Sequence, residues 1–151
     1  MSKSLISAYS RAKQSGNFIF QSQGATVFPP DLPNFQDMTI PGENWWDGYD
    51  LVKVDLSNNL IDTIPEDIGL QQYIQHMNLN TNKLRTIPNS LFSIPSLKFL
   101  DISYNSIKIL PESLGLAISL CELKATGNQI ESVPQSIGDL ESLEVLDLKA
   151  N

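Results

Sequence analysis

Apolar residues between Leu51 and Tyr73 fall at positions 1, 4, 6, 11, 14 and 18 of a 23-residue unit: Leu51, Val54, Leu56, Ile61, Ile64 and Ile68. Asn59 stands at position 9 and Pro65 at position 15. The register returns at Ile74, Leu97 and Leu120 without slipping by a residue, with Asn82, Asn105 and Asn128 again at position 9. A further copy begins at Leu143 and reaches its own position-9 residue at Asn151. Positions 4 and 6 alternate with polar neighbours, which predicts a short strand with Val54 and Leu56 on one face and Lys53, Asp55 and Ser57 on the other. Such a strand is completed only by its equivalents alongside, about 4.8 Å away in a ladder.

The position-9 asparagine is predicted to point inward where the strand ends, since its donors and its acceptor can satisfy buried backbone groups there. Proline at position 15 fixes φ and removes an N–H, so the return path is predicted to be a 3₁₀ or irregular turn. The pattern L-x-x-L-x-L-x-x-N-x-L is identified as the leucine-rich-repeat signature. It implies an α/β leucine-rich-repeat solenoid, a right-handed superhelix with a parallel sheet on its concave face and 3₁₀ or irregular turns on its convex face. Repeat 1 departs at position 21, where Gln71 stands and Leu70 is expected to take the apolar place by a small shift. Repeat 4 carries the small Ala125 at position 6.

Residues 51–151 hold the repeats, four full and a partial fifth, and residues 1–50 read as an N-terminal cap. Leu5, Ile6, Tyr9 and Ala12 recur at helical spacing, and Gly16 is a helix stop. This helix is expected to cover the first repeat. The same basic, Ser-rich start also matches the composition of a mitochondrial transit peptide, a reading set below the amphipathic helix. Residues 15–32 form a degenerate repeat, with Phe18 and Phe20 at positions 4 and 6, Phe28 at 14, Pro29 at 15, Leu32 at 18, and Gln23 replacing the asparagine. A 13-residue insertion around NFQDMTIPGENWWDG, with a Pro41-Gly42 turn, then precedes Leu51. Its Trp45 and Trp46 are expected to plug the open end of the solenoid, as terminal repeats need an atypical cap; the other reading is an aromatic binding patch.

The stretches Ala12-Lys13-Gln14-Ser15-Gly16 and Trp45-Trp46-Asp47, followed by Asp50-Leu51, resemble the N-terminal region of the leucine-rich repeat-containing protein 40 family. That family opens on a similar ARKSG-x-L-x-L segment and enters its repeats through WW-[ED]-x-x-DL. The repeats themselves are similar to those of many intracellular families, including Ras-pathway scaffolds and relatives of phosphatase regulatory subunits. The resemblance implies a fragment, a short paralogue or a truncated product of a longer protein, and it implies no catalytic activity.

The formal net charge of −7, without a Lys/Arg cluster in the sequence, argues against a nucleic-acid partner. Apolar runs fall short of a membrane span, so no membrane partner is expected. Cys121 is the single cysteine. Extracellular relatives usually carry cysteine-rich caps, and no signal-peptide core is visible, so the expected location is the cytoplasm, with the nucleus as the alternative. His76, the single histidine, has no second metal ligand in its motif, and Cys121 has Glu122 rather than a base beside it. No cofactor, metal or enzymatic activity is expected.

The candidate site is the outward face of the sheet. Position 3 reads Lys53, His76, Phe99, Glu122, Val145; position 5 reads Asp55, Asn78, Asp101, Lys124, Asp147; position 8 reads Asn58, Thr81, Tyr104, Gly127, Ala150. Phe99 and Tyr104 are expected to sit together, flanked by His76 and Lys124. The protein-binding set is therefore Lys53, Asp55, His76, Asn78, Phe99, Asp101, Tyr104, Glu122 and Lys124, with a protein of unknown identity as partner. The alternative is a structural N-terminal piece that nucleates a longer scaffold and binds nothing itself. The edge formed by Leu143, Leu146 and Leu148 is expected to continue into further repeats, or else to pair with a second copy as a homodimer.

Overall fold

The computed structural model describes residues 2–39 and 48–151. The Pro41-Gly42 turn and the Trp45–Trp46 pair lie outside the described residues. Six three-residue strands are β1 (Asn17–Ile19), β2 (Lys53–Asp55), β3 (His76–Asn78), β4 (Phe99–Asp101), β5 (Glu122–Lys124) and β6 (Val145–Asp147). They lie parallel, in chain order, in one sheet. Val54 aligns with Met77, Met77 with Leu100, Leu100 with Leu123, and Leu123 with Leu146, so the 23-residue period is the pairing register. Phe18 aligns with Val54, so β1 pairs with β2 across a longer step than the 23-residue period.

The strands stop after three residues because the backbone turns sharply at position 8. Asn58, Thr81, Tyr104 and Ala150 there have φ between 54° and 57°, and Gly127 has 66°. Only asparagine and glycine enter this left-handed region cheaply. The conformation recurs in every copy, so it belongs to the fold and not to a local site. On the convex side, 3₁₀ turns cover Glu66–Leu70, Asn89–Ser93, Glu112–Leu116 and Gln135–Asp139, each following its position-15 proline.

The position-9 asparagines close the unit as expected. The Asn105 amide nitrogen donates to the carbonyl of Ile102 in its own repeat at 2.9 Å and to that of Leu79 in the preceding one at 3.1 Å. Its oxygen accepts from the Leu84 N–H of the preceding repeat at 3.0 Å. Asn82, Asn128 and Asn151 make the equivalent three bonds from their own repeats. Asn59 reaches back to Phe20 O and accepts from Gln23 and Ala25 N–H, so it ties the degenerate repeat into the array.

Helix α1 (Lys3–Ser15) flanks β1. The Ser2 hydroxyl caps its start by accepting from Leu5 N–H. Gly16 ends it with φ of 70°, and an added Cβ would lie 2.7 Å from the Asp50 carbonyl, so both backbone and space require glycine here. The buried face is Ala8, Tyr9, Ala12 and Lys13, with Leu5 packed beside it. Ile6, expected on that face, is exposed. The i, i+3, i+4, i+7 stripe from Leu5 runs through Ala8, Tyr9 and Ala12 and leaves Ile6 about 100° away. The Tyr9 ring lies 4.9 Å from Phe18 and 6.5 Å from Phe35, and its hydroxyl accepts from Asp31 N–H at 3.2 Å. The Lys13 ammonium sits 4.7 Å over the Phe35 ring and donates to Gln36 O.

Leu70 does not shift into position 21; it is exposed, and Gln71 is buried there. The Gln71 amide donates to Pro33 O at 2.8 Å, so a satisfied polar side chain joins repeat 1 to the segment before it. Ala125 is fully buried. Leu146 is 42% exposed, whereas Val54, Met77, Leu100 and Leu123 at the same register are fully buried.

Two outcomes follow. Asn105→Ala strands the Leu84 N–H and the carbonyls around it, and denaturant melts should show a loss of about 1–3 kcal/mol; His76→Ala, on the exposed face, should cost under about 0.5 kcal/mol. Equal losses would contradict the inside–outside register. Burial, and next the Asp31 charge, push the Tyr9 phenol well above its ordinary pKa. The unfolded chain therefore releases this proton first. Stability from Tyr9 is complete below pH of about 10 and falls as pH rises beyond it. Melting temperature should drop above that pH in the parent chain and drop less in Tyr9→Phe, measured by circular dichroism.

Candidate protein-binding face

The paired strands bring position 3 into one row, Lys53, His76, Phe99, Glu122 and Val145 in register across β2 to β6. Position 5 forms the second row, Asp55, Asn78, Asp101, Lys124 and Asp147. The two rows have different duties.

Position 5 is a turn cap. The Asp55 carboxylate accepts from Ser57 N–H at 3.0 Å and from the Ser57 hydroxyl at 2.7 Å. Asn78 accepts from Asn80 N–H, Asp101 from Ser103 N–H, and Asp147 from Lys149 N–H. Each is an Asx turn, with a side chain bonding the backbone two residues on. Lys124 has no acceptor, and in its repeat the Ser103 hydroxyl of the repeat before takes the Thr126 N–H at 3.2 Å. Asp101 is buried, with 9% of its surface exposed, and it also accepts from the Asn80 amide at 3.4 Å. Position 5 thus carries structural work in four of the five copies. The signal was legible as Asp or Asn at position 5 in four of the five copies.

Position 3 makes no such cap among the described residues. Its centre is Phe99, half-buried. The His76 ring lies 6.0 Å away, tilted by 35°, and the Lys124 ammonium lies 5.3 Å from the Phe99 centroid. Lys124 also pairs with Glu122 at 2.7 Å. The Glu122 hydrogen bond holds the Lys124 pKa above the ordinary lysine value; desolvation opposes it, and the charges of Glu122, Asp101 and Asp147 add to the rise. The ammonium thus stays charged over the aromatic face, the cation–π arrangement. Tyr104 is 58% exposed, and its ring lies against the next repeat: a Cβ on Gly127 would meet its Cδ1 at 2.7 Å. Phe99 is thus flanked by His76 and Lys124 as expected, while the Tyr104 ring leans toward repeat 4.

Lys53 and His76 are exposed, and Asn78 and Glu122 are half-buried. Cys121 is half-buried beside Ser119 O. Among the described residues no three His, Cys, Asp or Glu side chains gather as a metal set, and no helix is long and apolar enough to cross a membrane.

A family profile described as leucine rich repeat matches residues 50–107. Comparison with curated proteins gives no match. Among solved structures, the chain is similar to the PEPR1–AtPEP1 crystal structure, with 36% identity over 64% of this chain and 14% of that one, and a TM-score of 0.60. It is similar to the plant peptide hormone receptor RGFR1 in complex with RGF2, with 27% identity over 83% of this chain and 18% of that one, TM-score 0.64. The ectodomain of the receptor kinase SOBIR1 from Arabidopsis thaliana shares the fold, with 21% identity over 89% of this chain and 69% of that one, TM-score 0.69. The chain spans less than a fifth of the length of the first two. The in-register parallel sheet, its asparagine ladder and these likenesses agree: the chain folds as a leucine-rich-repeat solenoid.

Proposed function

We propose that the chain is an intracellular, non-enzymatic protein-interaction module that binds an extended segment of a partner protein along the concave sheet. One observation carries the reading. Position 5 is occupied by turn capping in four of the five copies, whereas position 3 holds five different side chains, Lys53, His76, Phe99, Glu122 and Val145, with no capping work among the described residues. The half-buried Phe99 ring, with His76 on one side and the Lys124 ammonium over it, places an aromatic group beside a charge, and aromatic anchors dominate interface energetics. The RGFR1 structure, a peptide hormone receptor in complex with RGF2, has a related fold and supports a peptide-like ligand.

Cytoplasmic location rests on the lone Cys121, and the stretches around Ala12–Gly16 and Trp45–Leu51 support kinship with the leucine-rich repeat-containing protein 40 family. Nucleic acid is disfavoured by the net charge of −7.

The test is site-specific photo-crosslinking in cells. A benzophenone amino acid replacing His76 should give a discrete protein adduct, and one replacing Tyr73, exposed on the flank, should not. Phe99→Ala with Tyr104→Ala should weaken the purified adduct partner's binding by about tenfold or more. Adducts of equal strength from both positions, or unchanged affinity in the double variant, contradict concave binding. Absence of any adduct from the concave face supports the purely structural reading.

A further inference from the structure

A second surface lies off the sheet, on the flank that the chain follows after each strand. A cleft of about 590 Å³ opens there between repeats 2 and 3, lined by Arg85, Thr86, Ser106, Lys108, Ile109 and Gln129. Arg85 and Lys108 both occupy position 12, in adjacent repeats, and Lys83 stands at position 10 of the same repeat as Arg85. All three are exposed, and none takes part in an ion pair among the described residues. Like charges stacked in register repel. This concentration of positive charge is unusual in a chain of net charge −7.

Position 12 in the flanking repeats is acidic, Asp62 before and Glu131 after. The cationic strip is therefore only two repeats wide, about 10 Å at ordinary strand spacing. A polynucleotide, with a charge at every few ångströms, would run past it onto repelling carboxylates. A short anionic segment fits. Ile109 forms part of the cleft wall and is 69% exposed, although position 13 is polar in the other full repeats. An apolar side chain there suits a peptide better than a free anion.

The backbone adds a third feature. Between repeats 3 and 4 this flank is zipped: Glu131 N–H donates to Lys108 O at 3.2 Å, and Ile109 bridges Ser132 in parallel. Between repeats 2 and 3 the equivalent bond, from Lys108 N–H to Arg85 O, is not made among the described residues. The cleft thus offers an open backbone donor beside two cations, which matches the way extended acidic segments are held by basic side chains and main-chain bonds.

We propose that the flank cleft between repeats 2 and 3 is a second interaction site that takes a short acidic peptide segment of a partner protein. Its carboxylates lie on Arg85 and Lys108 and its apolar side chain on Ile109. The site is separate from the concave face, and a protein could engage either without the other.

The experiment is a titration of the isotopically labelled full chain by nuclear magnetic resonance, with a blocked Asp-Glu-Leu-Asp-Glu peptide as probe. Amides of Arg85, Thr86, Ser106, Lys108, Ile109 and Gln129 should shift in a saturable manner, and the affinity should fall as salt screens the charges. Arg85→Glu with Lys108→Glu should reduce affinity by about tenfold or more with an unchanged melting temperature. Ile109→Ser should reduce it less, and Phe99→Ala should leave it unaltered. The proposal is overturned if the shifts centre on β2 to β6, or if the double variant binds as well as the parent. It is also overturned if inorganic phosphate or a peptide with Leu replaced by Glu binds equally well, or if a short duplex DNA binds more tightly. Loss of this binding with concave crosslinking intact would leave the concave reading standing, so the two fail separately.

Discussion

The carboxamide of the position-9 asparagine is the interaction on which the solenoid depends. Three-residue strands such as Phe99–Asp101 leave most of each repeat's backbone outside regular pairing. The chain must turn away from the sheet at once, and the turn exposes carbonyls and an N–H to an apolar interior where they cannot be left unpaired. One asparagine satisfies groups on its own repeat and on the repeat before it, as Asn105 does for Ile102, Leu79 and Leu84. The amide's partners lie beside the strand ends, so a longer connection is accommodated, as Asn59 shows by reaching Phe20 O across the insertion. The left-handed residue at position 8, the asparagine and the parallel register are thus set together.

This arrangement was legible in the sequence because it repeats: five copies at constant spacing leave few alternative registers, and the buried set at positions 1, 4 and 6 follows from strand alternation. Features that do not repeat were read less well. Ile6 was placed on the buried helix face because it is apolar, but Ala8 is the residue in line with Leu5, Tyr9 and Ala12. Gln71 was expected to yield its place to Leu70, yet its amide finds Pro33 O, a partner donated by a segment 38 residues earlier that local pattern cannot reveal. At position 5, strand alternation gives the correct face but does not reveal the turn capping done there. Asp101 lies on the concave side, but its carboxylate turns along the strand to cap Ser103.

That division of labour shapes the functional surface. Turn capping uses much of the hydrogen-bonding capacity of position 5 and restricts it to Asp and Asn in four copies, while position 3 is left open to lysine, histidine, phenylalanine, glutamate and valine. Lys124 is the exception at position 5. The Ser103 hydroxyl takes over the capping at Thr126, and the released lysine reaches over Phe99. The departure from the capping rule and the aromatic centre of the concave face are thus coupled through neighbouring repeats, as expected where nearest-neighbour interfaces carry solenoid stability.

Native-state hydrogen exchange in Asn128→Ala tests the ladder most directly. The Ile107 amide donates to Asn128, whereas the Leu84 amide one repeat earlier donates to Asn105. Coupling through the ladder predicts that Ile107 loses protection by about tenfold or more, the equivalent of one hydrogen bond, while Leu84 keeps most of its own. Equal loss at both amides, or no loss at Ile107, would contradict the account.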